Sequence, residues 1–173
     1  MAETLSGQLV ARIEWNHQDS NGISTVVDTS RHERSATISN GTGDLQADAI
    51  FYKTGTIPGG GGSPVDLDLN ALPRTVFGDP AEVAMVEVIG LLVENMEATV
   101  NDNAIAVGGA TKAFSAPFGD PSDKAIVQAG GAFAWFAPRA GGPAANGSTD
   151  ILRLNTAGAN AAQYKISIMG RKS

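Results

Sequence analysis

Histidine beside a carboxylate is the first arrangement in this chain that can do chemistry, because an imidazole titrates near neutral pH and an acid can orient it. The chain holds two histidines, His17 near Asp19 and His32 beside Glu33. Both stand in polar, turn-like sequence, where a solvated histidine is the ordinary case, and no catalytic role is assigned to either. Paired carboxylates come next. Asp66 and Asp68 share one face of an alternating strand, and Asp120 and Asp123 flank a turn. Either pair can offer oxygens to a calcium ion, but neither has the dense Asp/Asn/Gly spacing of a calcium loop. No metal site is expected. Gly59–Ser63 has the glycine content of a phosphate-binding loop but lacks the Lys that reaches the phosphates, and Gly108-Gly109-Ala110-Thr111-Lys112 carries Thr and Lys in the wrong order. No cofactor is expected. Asn40-Gly41-Thr42 and Asn146-Gly147-Ser148 fit the glycosylation pattern and read equally as turns. Trp15, Phe133, Trp135 and Phe136 can form a platform for a sugar, although aromatics in alternating strands more often fill a core.

The elements that must position these residues are strands. Leu9, Ala11, Ile13 and Trp15 alternate with Val10, Arg12 and Glu14. Val65, Leu67 and Leu69 alternate with Asp66, Asp68 and Asn70, and Tyr164, Ile166 and Ile168 with Lys165, Ser167 and Met169. Ile50–Thr54 is rich in β-branched and aromatic residues. The last third, from Gly108, is a series of short apolar runs such as Ala132–Phe136 separated by glycine-rich turns. Glu82–Glu94 has helical content but carries Gly90 and several valines, and reads as one long central strand between turns at Asp79-Pro80 and Asn101–Asn103. Leu69–Arg74 has room for one helical turn. Asn16–Gly22 reads as a loop, and Pro58–Pro64 as a flexible glycine-rich connection between strands of different sheets. Phe-Gly-Asp-Pro occurs at 77–80 and again at 118–121, as two similar turns rather than a repeat. The expected fold is therefore an all-β antiparallel sandwich of jelly-roll type with about nine to eleven strands and little helix. Residues 35–173 form the sandwich, and residues 1–34 form an N-terminal arm or its first strands.

Composition narrows the function classes. A length of 173 residues suits one domain. With no cysteine, disulfides, thiolate zinc sites and thiol catalysis are excluded. Twelve basic residues against 18 acidic ones give a net charge of −6, which argues against nucleic acid and against an anionic membrane as partners. Charged residues make up only 17% of the chain, below the usual quarter or so. Small polar residues take their place, which suits either a surface for extended contact with other subunits or simply a Gly-rich β protein with many turns. The N-terminus has neither the basic nor the apolar region of a signal peptide, so synthesis and retention in a cytoplasm are expected.

From Asn40 to Gly170 the order of turns and strands resembles a group of small structural proteins of tailed bacteriophages. The features are the Asn40–Gly43 turn, the Thr54–Ile57 segment, the Val65–Leu69 strand, the Phe77–Pro80 turn and the apolar run ending in Val93-Glu94-Asn95. Val107–Ala110, the Phe118-Gly119-Asp120 turn, Ala129–Gly131, Phe136–Pro138, Asp150–Asn155 and Tyr164–Gly170 follow. The resemblance implies a virion component, and more narrowly a capsid decoration (cement) protein. Such a protein binds the major capsid protein on the outer shell as a homotrimer, after synthesis in the host bacterial cytoplasm. Alternatives are a tail, baseplate or fibre component, or a carbohydrate-binding module. A hydrolase would need a carboxylate pair or triad for which the sequence has no motif. The turns at Ala116–Pro121 and Ala140–Ser148 are the expected contact surfaces.

Overall fold

A computed structural model describes residues 4–20, 24–76, 79–99, 104–143 and 149–172. These form fourteen strands, and no helix occurs among the described residues. In chain order they begin with β1 (Gly7–Ser20), β2 (Thr25–Asn40), β3 (Gln46–Ala47), β4 (Ala49–Ile57) and β5 (Val65–Asp68). Next come β6 (Leu72–Val76), β7 (Asp79–Val83), β8 (Glu87–Asn95), β9 (Ile105–Gly108) and β10 (Lys124–Val127). The last four are β11 (Ala132–Phe136), β12 (Gly142–Pro143), β13 (Ile151–Thr156) and β14 (Ala162–Arg171). The count exceeds the expected nine to eleven, in part because β3 and β12 are two-residue pairings.

Two antiparallel sheets make the body. One has the order β11-β8-β14-β4, with β12 also on β8, and the other has the order β10-β9-β13-β5. Their inner faces are written in period two. On β14, Tyr164, Ile166 and Ile168 are buried while Lys165, Ser167 and Met169 are not fully covered. On β5, Leu67 is buried between exposed Asp66 and Asp68. Phe51, Val93, Ile166 and Ile168 from the first sheet meet Leu67, Ile105, Val107, Leu152 and Leu154 from the second in one continuous core. Phe114 enters the same core from the connection after β9. The β6–β7 hairpin adds Leu72 and Val83.

β1 and β2 form a third layer. They pair from Gly7↔Ile38 to Ser20↔Thr25 as a long two-stranded ribbon, and β3 joins β2 in parallel at its base. At about 3.4 Å per residue the 14-residue β1 is roughly 45 Å long. Only its first turn of residues lies on the body. There Leu9, Ile38 and Ala47 pack with Ile89 on the outer face of the five-stranded sheet, flanked by Leu5, Ala36, Phe136 and Met169.

Several sequence expectations are corrected. Asn16–Ser20 is strand, not loop, because its backbone is paired with the Thr- and Val-rich Thr25–Thr29 and the pairing overrides its polar composition. Leu69-Asn70 is a turn that leads straight into β6, so Leu69–Arg74 has no helical turn. Glu82–Glu94 is two strands. Glu82 and Val83 end β7, and the chain breaks at Ala84–Val86 before β8, the central strand buried on both faces. Asp79-Pro80 lies inside β7 rather than in a turn. Asn101–Asn103 lies outside the described residues. β2 runs without a break through Arg34 and Ser35.

Candidate interaction surface

Side chains opposite one another in an antiparallel pair share a face. On one ribbon face the register therefore sets the rungs Leu9/Ala36, Ala11/Arg34, Ile13/His32, Trp15/Ser30, His17/Asp28 and Asp19/Val26. This face is the one buried at the base. Position 90 of β8 is glycine for that reason: a Cβ there would stand 2.7 Å from Leu9 Cδ2. Further out the same face loses its cover. Leu9 is 9% exposed, Trp15 40%, Val26 66% and Ile13 70%. The Trp15 indole stacks on the His32 imidazole at 5.5 Å with 17° between the planes. Fully burying an aliphatic side chain is worth about 1.5–3 kcal/mol, and an isolated two-stranded ribbon is marginal in water. The outer ribbon thus leaves stabilisation unrealised within this chain.

The opposite ribbon face balances its own charge. Arg12 stands across from Glu33 and Glu14 across from Arg31. Along the strands Arg12 Nε lies 3.4 Å from Glu14 Oε2, and Arg31 pairs with Glu33. Exposed pairs of this kind contribute about 0–1 kcal/mol each, so they solvate the face more than they hold it.

The base is fastened through Arg171, whose side chain is buried. Its Nε donates to the Gln46 carbonyl (3.1 Å), Nη1 to Glu87 Oε2 (2.5 Å) and Nη2 to the Pro138 carbonyl (3.0 Å). One guanidinium therefore ties β3, β8 and the turn after β11 together. An apolar groove of about 290 Å³ opens between the ribbon base and the sheet, lined by Leu9, Val10, Ile50, Leu92, Phe136 and Met169.

The residues singled out in the sequence are mostly held apart. His17 faces Asp28 across the ribbon, while His32 faces Ile13 two rungs away; both are in strands rather than turns. Asp66 is engaged by Arg153 in the facing register position, with Nε–Oδ1 and Nη2–Oδ2 both 2.7 Å. These bonds raise the Arg153 pKa further above its ordinary value. Asp68 accepts from the Asn70 N–H at 2.9 Å. Asp120 accepts from the Ser122 hydroxyl (2.6 Å) and N–H (2.8 Å), which together hold it below the usual carboxylate range. Among the described residues no three His, Asp or Glu side chains gather as a metal-binding group.

Phe133 and Trp135 pack against the main core and Phe136 against the ribbon base, so three of the four aromatics are structural. Phe133 stacks on Phe118 at 5.5 Å, and Trp135 meets Phe114 edge-on at 6.0 Å. Trp15 stands apart on the ribbon. Gly59–Ser63 turns between the two sheets, with Gly59 pressed so closely on the Asn160 backbone that a Cβ would lie 2.2 Å from it. Gly108–Lys112 ends β9 and turns. Asn40 closes the ribbon base, its Oδ1 accepting from the Leu5 N–H at 3.0 Å. In the Ala116–Pro121 turn, Gly119, Asp120 and Pro121 are exposed while Phe118 packs inward. In the Ala140–Ser148 segment, 144–148 lie outside the described residues, as does Asn146-Gly147-Ser148.

Sequence reasoning missed the exposure of Ile13, Trp15 and Val26 on one ribbon face. The available signal was Asn21-Gly22, a hairpin dipeptide flanked by alternating segments. Comparison of the chain with family models, with curated proteins and with solved structures finds no match in any of the three.

Proposed function

We propose that this chain is a non-enzymatic capsid decoration protein of a tailed bacteriophage, which binds the major capsid protein on the outer shell, self-associates there as a trimer and stabilises the head. The observation that carries the reading is the β1–β2 ribbon. A strand pair of this length, packed only at its base and with Ile13, Trp15 and Val26 exposed on one face, is an arm that gains its cover from another subunit. Many copies on one particle convert modest contacts of this kind into tight attachment.

Strand order supports the same reading. Numbered in chain order without the ribbon, the β6–β7 hairpin and the two-residue β3 and β12, the eight sandwich strands pair first with eighth, eighth with third and third with sixth. In the other sheet the second pairs with the seventh, the seventh with the fourth and the fourth with the fifth. This order supports a jelly-roll reading, an architecture that viral capsid domains use and lectins share. The sequence resemblance between Asn40 and Gly170 points the same way. A tail, baseplate or fibre part would use the same ribbon in a small ring. A carbohydrate-binding module would place a sugar on Trp15.

Copy number on purified virions, measured by quantitative mass spectrometry, tests the reading. Hundreds of copies per particle are expected, together with heads that rupture at lower temperature when the protein is missing. A handful of copies per virion assigns it to the tail. Trp15 fluorescence quenched by a sugar supports the module.

A further inference from the structure

We propose that two copies of this chain pair edge to edge through β1, so that their ribbons join into one four-stranded antiparallel sheet about a twofold axis at Ile13, normal to that sheet. The proposal stands on the ribbon alone and holds or fails independently of the capsid reading. β1 ends the order β1-β2-β3, and among the described residues no strand lies on its outer edge. An unpaired edge is a template for another chain, and proteins guard such edges with short strands or inward-pointing charges. The sandwich follows that rule. Its edge strands β5 and β10 have four residues each and β11 has five. The longer edge strand β4 carries Lys53 in register with buried Ile166, on the core side of its sheet. β1 has 14 residues and contains neither lysine nor proline.

Of the two ribbon edges, β2 is closed at its base by β3. β1 is open there. The groove of about 290 Å³ runs along its edge, between Gln8, Leu9 and Val10 on one side and Ile50, Leu92 and Ser167 on the other. An added strand enters beside β1 rather than on top of it, so the contact of Leu9 with β8 at Gly90 stays in place.

Charge selects the register. A twofold axis normal to the sheet keeps each face on its own side and pairs residues equidistant from the axis. Centred on Arg12 or on Glu14, it sets like charges opposite one another, which is destabilising. Centred on Ile13, it sets Arg12 opposite the partner's Glu14, and in an isologous contact this pair forms twice. Within each ribbon Arg12 already stands across from Glu33, and Glu14 across from Arg31. The joined sheet therefore reads Glu33, Arg12, the partner's Glu14 and the partner's Arg31 across its four strands, with the signs alternating throughout. On the opposite face Ile13 meets the partner's Ile13, and small Ala11 stands across from the partner's Trp15. A second copy is the occupant whose charges and side-chain sizes both match this edge. The paired segment runs from Val10 to Asn16. Past it, the partner's His17 and Asp19 come level with Leu9 and Gly7 on the open side of the base. One strand edge of this length falls short of the roughly 800 Å² per partner of a standard stable interface. The pairing is weak in free solution and gains strength where several copies are held together.

The chain has no cysteine, so single introduced cysteines report the register. Directly opposed residues of antiparallel strands have Cα atoms about 4.5–5.5 Å apart, within the roughly 4.4–6.8 Å that a disulfide spans. Ile13→Cys should cross-link to a dimer under mild oxidation. Ala11→Cys alone and Trp15→Cys alone should not, because each stands about 14 Å along the strand from its own copy. An equal mixture of those two variants should cross-link as Ile13→Cys does. Sedimentation equilibrium of the parent up to about 1 mM should show the mass doubling from whatever unit the sandwich sets. Ile13→Asp, which opposes two carboxylates at the axis, should weaken doubling about 10-fold or more. Circular dichroism checks that each variant keeps its strands. No doubling in the parent, doubling unchanged in Ile13→Asp, Ala11→Cys or Trp15→Cys alone cross-linking as well as Ile13→Cys, or no cross-link in the mixture overturns the proposal.

Discussion

The outer ribbon and the last strand of the sandwich are written in the same alternation and meet opposite fates. On β14, Tyr164, Ile166 and Ile168 are at most 2% exposed because a second sheet covers them. On β1, Leu9 is covered at the base, while Ile13 and Trp15, on the same face, stand in solvent. Period two thus tells which side of a strand is apolar. It does not tell whether the chain itself supplies the cover. Where the cover is internal the side chains contribute to folding. Where it is missing they are available for contact with another molecule.

The largest effect that separates the two regions is expected from truncation. Ile166→Ala should cost about 2–5 kcal/mol in denaturant unfolding, the usual range for a fully buried aliphatic residue. Ile13→Ala should stay within about 0.5 kcal/mol, as surface substitutions do. Equal costs would mean that the ribbon is part of the folding core.

The joint between the regions comes second. Arg171→Leu leaves the Gln46 and Pro138 carbonyls without their donor and Glu87 without its partner. Loss of one member of a buried pair costs about 3–5 kcal/mol. Glu87 retains 35% side-chain exposure, so about 2–3 kcal/mol is expected from thermal or chemical unfolding. Gly90→Ala is third. Its Cβ meets Leu9 Cδ2 at 2.7 Å, and overpacking of this kind costs about 1–3 kcal/mol. Trypsin should then cut faster at Arg12, Arg31 and Arg34, while sites in the sandwich keep their rate. Uniform acceleration would show that Leu9 does not anchor the ribbon separately.

The smallest effect is on pH dependence. Burial raises the Tyr164 pKa above its ordinary 10.0. The folded state favours the neutral phenol, so its contribution is fully present below pH 10 and is lost as pH rises through the higher folded value. Tyr164→Phe should flatten the alkaline fall in stability measured by urea titration; an unchanged fall would assign it elsewhere.

Much of the architecture was legible. The strands at Val65–Leu69 and Tyr164–Met169 follow from alternation and the one at Ile50–Thr54 from its β-branched and aromatic content, and the all-β sandwich follows from their number and from the turns between them. The break inside Glu82–Glu94 was not legible, because a change of sheet at Ala84–Val86 leaves no mark in a continuous apolar run. Gly90 was visible only as a weak helix former. Its steric role needs Leu9, 81 residues away, to be placed on top of it. The ribbon was misread at Asn16–Ser20 because backbone pairing there rests on the partner strand rather than on apolar content. On β1 the exposed face could not be told from a buried one, since Leu9, Ala11, Ile13 and Trp15 alternate as a buried strand does.

Removing the outer ribbon separates folding from contact in one step. Ala11 and Arg34 face each other in register, so an Asn-Gly turn can join them in place of 12–33. Thermal unfolding of this shortened chain should show a cooperative transition within a few degrees of the parent. A transition lowered by about 10 °C or more, equivalent to about 2.5–5 kcal/mol in a domain of this size, would contradict the division between a sandwich that folds and a ribbon that makes contact.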